Sequence, residues 1–116
     1  MSERAPIIGL LGAGNMASAM VSGWVRADPA MAERILVTDR GSGRAAGLAE
    51  RLGTRHVEAN ADLVREADIV VLCVKPIDVE RVLREVSDLI TPQKAIASVA
   101  AGVGTATLET ILDVDA

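Results

Sequence analysis

Residues 6–23, PIIGLLGAGNMASAMVSG, run an apolar segment into a glycine turn and on into an amphipathic helix without a break. Few folds accommodate that order. Residues 7–11 read as a short buried strand, and Gly12-Ala13-Gly14-Asn15-Met16-Ala17 fits the G-x-G-x-x-G/A pattern, with alanine in the third small position. Gly12 allows the tight turn off the strand, Gly14 lets the backbone come close to a pyrophosphate, and Ala17 lets the next helix lie on the strand. The unpaired N–H groups and positive dipole end of that helix favour an anion there. A purely structural turn could carry the same letters, so the context decides. Met16, Met20 and Trp24, with Ala17, Val21 and Val25 one step round, recur at four-residue spacing and predict a helix with one apolar face. Strand, turn and helix are all present, and we read the stretch as a dinucleotide site.

The chain then continues in the same rhythm. Ala27-Asp28-Pro29-Ala30 breaks the helical pattern and predicts a loop. Residues 35–38 read as a second strand ending at Asp39-Arg40-Gly41-Ser42-Gly43-Arg44. In a nucleotide-binding βαβ unit a carboxylate after the second strand accepts bonds from the adenine ribose hydroxyls, whereas a nearby Arg pairs with a 2′-phosphate. Both types occur here: Asp39 is placed to repel a 2′-phosphate, and Arg40, Ser42 and Arg44 to bind one. Arg44 could equally be a solvated charge in the first turn of a helix over 44–52, which Gly53 ends.

Residues 55–57 predict a short third strand, and Asn60 the N-cap of a helix over 61–67, unless its side chain faces the ligand. His56 has no histidine or cysteine near it in sequence and reads as a surface residue, not a metal ligand or base. The unbroken apolar run 69–74 predicts a strand covered on both faces. Cys73 within it reads as a buried, inert thiol. Pro76 stops this strand, which sets Lys75 beyond its carboxyl end, the side on which open α/β sheets hold ligands. Residues 77–90 predict a helix with Val79, Val82, Leu83, Val86, Leu89 and Ile90 inward and Glu80, Arg81, Arg84 and Glu85 on a solvated face. Residues 95–100 predict a fifth strand, the small residues 101–104 a turn open to a flat ligand, and 105–112 a last helix.

Strands alternating with helices, joined by right-handed crossovers, predict a single α/β domain of Rossmann type over residues 1–116, a doubly wound parallel sheet. Composition narrows the partners. Trp24 is the only aromatic residue, which removes a base-stacking platform of the single-strand-binding type. A net charge of −4 and a pI near 4.9 argue against nucleic acid and against anionic membrane surfaces, and favour a small metabolite. No apolar run approaches the ~20 residues of a membrane span. The lone cysteine forbids an internal disulfide and a cysteine-rich metal site. Arg4 followed by apolar and small residues imitates a signal peptide, but the glycine turn explains those residues better, and a cytoplasmic location is expected.

The combination of IGLLGAGNMASAM, VVLCVKP and SVAAGV along the chain resembles the N-terminal half of pyrroline-5-carboxylate reductase, over residues 7–112. The 3-hydroxyisobutyrate and 6-phosphogluconate dehydrogenases share the glycine turn, and a coenzyme F420-dependent NADP reductase is a more distant likeness. The resemblance implies hydride transfer from NADPH, or NADH, to the C=N bond of pyrroline-5-carboxylate, giving L-proline. It implies that Leu11, Gly12, Ala13, Gly14, Asn15, Met16 and Ala17 hold the pyrophosphate. Asp39, Arg40 and Ser42 then hold the adenine ribose end, and Asn60 a ribose or adenine edge. Cys73, Val74, Lys75 and Pro76, with Val99, Ala100 and Ala101, border the nicotinamide. Two guanidinium groups outweighing one flexible carboxylate favour NADP over NAD.

The family's pattern continues into a segment resembling R-x-M-P-N-x-P and a helical domain that forms the dimer and much of the imine site. Neither is present in residues 1–116. No catalytic residue is therefore assigned within this chain; a homo-oligomer is expected of the full-length form, and the 116-residue chain is expected to self-associate through the apolar strand at 95–100. The alternative is a stand-alone NAD(P)-binding module or pseudo-enzyme.

Overall fold

The computed structural model describes residues 5–39 and 41–98. Arg40, Val99, Ala100, Ala101, the turn at 101–104 and the helix expected at 105–112 lie outside the described residues. Within them the chain runs β1 (Ile8–Leu11), α1 (Asn15–Ala27), β2 (Ile35–Thr38), α2 (Arg44–Leu52), β3 (Arg55–His56), α3 (Asn60–Glu66), β4 (Ile69–Leu72), α4 (Pro76–Val86) and β5 (Ala95–Ser98). All strand pairs are parallel, in the order β3-β2-β1-β4-β5. This is the doubly wound Rossmann arrangement.

Two aliphatic cores sandwich the sheet. On one face Leu10, Ile35, Val37 and Val71 meet Ala17 and Val21 of α1 and Ala45 and Leu48 of α2. On the other, Leu11, Leu36, Val70 and Leu72 meet Leu63 and Val64 of α3 and Val79, Val82, Leu83 and Val86 of α4. Neighbours such as Leu10 and Leu11 belong to different cores because successive strand side chains point to opposite faces. Gly9 has a packing reason: a Cβ there would stand 2.4 Å from Leu63 Cδ2 and 2.9 Å from Ala67 Cβ, so α3 crosses β1 at a distance only glycine permits.

Several boundaries differ from the sequence expectations, each for a local reason. Met16 is 57% exposed; the buried line of α1 runs through Ala17 and Val21, with Met20, Trp24 and Val25 packed beside it. The stretch after α1 is not a plain loop but opens a 3-10 helix, Pro29–Arg34. Asp28 Oδ1 accepts from Ala30 N at 3.2 Å, and proline in the first turn has no N–H to waste.

Helix α3 begins at Asn60 itself, with Ala59 in the cap position. The other end of α3 is closed from outside, where Lys94 Nζ donates to Ala67 O at 2.6 Å and Arg65 O at 3.3 Å. Strand β4 ends at Leu72, so Cys73 and Val74 lie past it. Helix α4 starts on Pro76 and stops at Val86, short of Ile90, and a 3-10 turn, Ser87–Leu89, follows. Ser87 Oγ donates back to Arg84 O at 3.3 Å, a local bond that competes with helix continuation. Among the described residues no helix is long and apolar enough to cross a membrane.

Candidate functional site

Strand order reverses between β1 and β4, and crossovers leaving these two strands depart to opposite faces of the sheet. Such a switch point opens a crevice beyond the carboxyl ends of the strands. Here it is a cleft of about 460 Å³ lined by Leu11, Gly12, Ala13, Gly14, Thr38, Asp39, Ser42, Arg44, Asn60, Cys73, Val74, Lys75, Asp78, Arg81 and Val82.

The floor is the glycine turn. Gly12 has φ 113°, and a Cβ on it would stand 2.7 Å from Cys73 O. Its N–H donates to Thr38 O at 3.0 Å, and Cys73 N donates to Leu11 O at 2.9 Å. The turn is thereby tied to β2 on one side and β4 on the other. Ala13 is turned inward against α1, leaving its backbone on the cleft side. Gly14 caps α1 in extended backbone (φ −76°, ψ −164°), and among the described residues no side chain bonds to the first turn and nothing lies within 4 Å of a Cβ added to it. An open space thus sits over a helix start that no side chain among the described residues caps, a geometry that suits an anion.

The wall toward β2 is polar. Asp39 Oδ1 accepts from Gly41 N and Oδ2 from Ala45 N, both at 2.8 Å. The Ala45 amide, with lesser help from Gly41 N and the Ser42 hydroxyl, holds this carboxyl below the ordinary carboxylate range, against a smaller opposing effect of burial. Ser42 Oγ accepts from Arg44 N at 3.2 Å. Arg44 reaches across the mouth of the cleft, where Nη1 donates to Asn15 Oδ1 at 3.3 Å. Asn60 does not cap its helix: Oδ1 accepts from the buried Thr38 hydroxyl at 2.8 Å, and Nδ2 donates to Glu85 Oε1 at 3.3 Å.

The wall toward β4 carries Cys73, Val74 and Lys75 and the first turns of α4. Cys73 is half-buried, and that burial pushes its thiol up to about 11, so it is protonated at neutral pH and a poor nucleophile. Arg81 Nη2 donates to Asp78 Oδ1 at 3.1 Å on the cleft side of α4. His56 is exposed on β3, and among the described residues no group of His, Cys, Asp or Glu is gathered to hold a metal.

Of the residues expected at the site, Leu11, Gly12, Ala13, Gly14, Asp39, Ser42, Asn60, Cys73, Val74 and Lys75 line the cleft. Asn15 stands at its rim through Arg44, Met16 faces solvent, Ala17 is buried beneath the turn, and Pro76 serves as the first residue of α4. The sequence reading missed Thr38, Asp78, Arg81 and Val82. For Asp78 and Arg81 a signal existed, since both fall in the opening turns of a helix whose start was already placed beside the ligand.

Residues 7–102 match the family model described as NADP oxidoreductase, coenzyme F420-dependent. The chain is similar to a pyrroline-5-carboxylate reductase of Pseudomonas aeruginosa, at 38% identity over 104 residues that cover 90% of this chain and 38% of that protein. It is similar to another from Methanosarcina acetivorans, at 39% over 105 residues, covering 90% and 39%. Among solved structures it resembles a pyrroline-5-carboxylate reductase from Coxiella burnetii with a TM-score of 0.86 and 33% identity, over 94% of this chain and 40% of that one. The chain thus spans about two fifths of the length of these relatives.

Proposed function

Because the chain belongs to the family described as NADP oxidoreductase, coenzyme F420-dependent, and is a dinucleotide-binding domain of pyrroline-5-carboxylate reductase type, we propose that it binds NADP, and less well NAD, for the reduction of pyrroline-5-carboxylate to L-proline. One observation carries the reading: the open cradle over Gly14 at the start of α1, with the Arg44 guanidinium at its mouth. When bound, the dihydronicotinamide ring supplies a hydride for the imine carbon.

Everything else falls to the protein. Backbone N–H groups at the start of α1 hold the pyrophosphate, and the positive φ of Gly12 keeps that stretch of backbone flush with the cleft. Ser42 and Arg44 take the ribose 2′-substituent, and Asn60, fixed between Thr38 and Glu85, offers its remaining amide capacity to the adenosine. Cys73 and Val74 give the nicotinamide a neutral wall, and the protonated thiol does not compete for the hydride acceptor. Lys75 stands at the same edge as a cation toward the acceptor's carboxylate.

The acceptor itself needs walls beyond this cleft. Hydride transfer asks for reacting carbons held within about 3–3.5 Å and in line, and most of the rate comes from that positioning. Residues 1–116 supply the donor side, and we assign the imine side and assembly into a homo-oligomer to a longer form of the protein. A cytoplasmic setting suits its lone reduced thiol. The family description also names coenzyme F420, and a reductase passing hydride between F420 and NADP is the second reading, with the same NADP cleft.

Calorimetric titration of the chain with NADPH and NADH, followed by NADPH oxidation with pyrroline-5-carboxylate or oxidised F420, tests this. Binding of NADPH with slow imine reduction is expected. Absence of dinucleotide binding refutes the reading, hydride transfer to F420 alone favours the second, and turnover equal to that of a longer reductase refutes the division of labour.

A further inference from the structure

The carboxylate that follows the second strand of a dinucleotide-binding unit ordinarily reads the ribose hydroxyls and repels a 2′-phosphate. Asp39 holds that position, yet its bonds run elsewhere. We propose that Asp39 favours the 2′-phosphorylated cofactor, acting as a positioning residue that holds Ser42 and Arg44 in place to bind the phosphate. This rests on the reading of the cleft as an NADP site.

Three observations carry it. Asp39 Oδ1 and Oδ2 each accept a backbone N–H at 2.8 Å, from Gly41 and Ala45, the residues that flank Ser42, Gly43 and Arg44 on either side. The carboxylate therefore staples both ends of the segment that carries the phosphate-binding side chains, and each of its oxygens already accepts one backbone bond. Second, the segment needs a staple. Gly41 and Gly43 both lie in the left-handed region, at φ 86° and 85°, and all three of Gly41, Ser42 and Gly43 are exposed, so no core packing fixes their course. Third, Arg44 is directed once its backbone is fixed: Ser42 Oγ accepts its N–H, and its guanidinium reaches Asn15 on α1, across the cleft.

Charge does not oppose this. The anion on Asp39 is matched by amide hydrogens at the start of α2, where the helix dipole also favours a negative group, so less of its field reaches the cleft. A guanidinium presents five donors in a planar fork, and the bond to Asn15 uses one nitrogen of it. The rest of the fork suits a phosphate dianion.

The experiment compares dissociation constants of NADP+ and NAD+ for the 116-residue chain, for Asp39→Asn, and for Arg44→Ala in both backgrounds. In Asp39→Asn one acceptor oxygen becomes an NH2 facing a backbone donor, which unfastens one end of the loop. The expected result is NADP+ binding weakened by about ten-fold, the scale of one or two charge-assisted bonds, with NAD+ binding changed much less. Arg44→Ala should cost NADP+ a similar factor in the parent and little more in the Asp39→Asn background, because a residue already out of place has little left to lose. Stronger NADP+ binding by Asp39→Asn overturns the inference and returns Asp39 to the repelling role. Equal weakening of both cofactors overturns it as well and leaves Asp39 a structural cap alone. If the parent chain binds neither cofactor, the NADP reading itself fails and takes the inference with it. Cooperative melting checks that each variant is folded. Asp39→Ser, which removes the charge but keeps a short acceptor, gives the same comparison should Asp39→Asn not fold: a fall in the NADP+ to NAD+ affinity ratio supports the inference, and a rise or no change refutes it.

Discussion

A Cβ on Gly12 would stand 2.7 Å from the carbonyl oxygen of Cys73, whereas one on Gly14, two residues on, would touch nothing within 4 Å among the described residues. The two glycines of one turn therefore answer to different demands. Gly12→Ala meets a rigid backbone atom in a left-handed conformation and should cost about 2–4 kcal/mol of stability. Gly14→Leu keeps an ordinary extended backbone, should leave the melting temperature within a few degrees, and should abolish cofactor binding by filling the cradle. Thermal melts paired with NADPH titration check both. A destabilised Gly14→Leu, or one that still binds at parental affinity, contradicts the account.

The close crossing of α3 over β1 makes a second prediction. Gly9→Ala forces its new methyl against Leu63 and Ala67 and should destabilise by about 1–3 kcal/mol. Leu63→Ala removes the nearer obstacle at the cost of a core cavity. The double variant should be more stable than the sum of the single losses predicts, and denaturant unfolding of all four proteins measures that coupling.

Thr54 is buried, and among the described residues its hydroxyl is the buried side-chain polar atom that has no hydrogen-bond partner. Replacing it with the isosteric valine removes the desolvation cost of that oxygen. Thr54→Val should raise stability by about 1 kcal/mol, seen as a higher melting temperature. A drop of similar size would show that the hydroxyl is satisfied in solution.

Cys73 gives the pH dependence. Its folded value, near 11, lies above the ordinary thiol value of 9.0 because burial disfavours the thiolate. The unfolded chain therefore loses this proton first as pH rises. The stabilisation is complete below about pH 9 and is lost between about 9 and 11. Melting curves across that range should fall more steeply for the parent than for Cys73→Ala, and alkylation of the native thiol should stay slow at pH 8.

What the sequence made legible follows from how local each signal is. The glycine turn, the Lys75-Pro76 stop and the αL residue Gly53 announce themselves because each is fixed by its own backbone requirement. Apolar spacing located Val79, Val82, Leu83 and Val86 for the same reason. The cap reading of Asn60 fails because its side chain finds its partners far along the chain. Asn60 looks like a cap in isolation, yet its amide is drawn to Thr38 and Glu85. Asp39 reads as a flexible carboxylate at the adenine ribose end, and its bonds to Gly41 and Ala45, which apolar patterning does not signal, fix it in place. Arg81 belongs by spacing to a solvated face and stands at the cleft only because α4 begins there. The end of α4 at Val86 was illegible because Leu89 and Ile90 keep the apolar spacing, and both still pack on the core after the helix has tightened into a 3-10 turn.

The bonds from Gly12 N to Thr38 O and from Cys73 N to Leu11 O also set when the cleft can exist. Helix α1 is assembled from near neighbours, but the turn before it is clamped by two strands that arrive much later in the chain, so its loop-closure cost is met only when the middle of the sheet is complete. The cradle is consequently not an independently folding loop. It comes and goes with the whole domain, and a dinucleotide bound there acts as a third clamp on β1, β2 and β4, raising the free energy of global unfolding by RT ln(1 + L/Kd), where L is the free dinucleotide concentration.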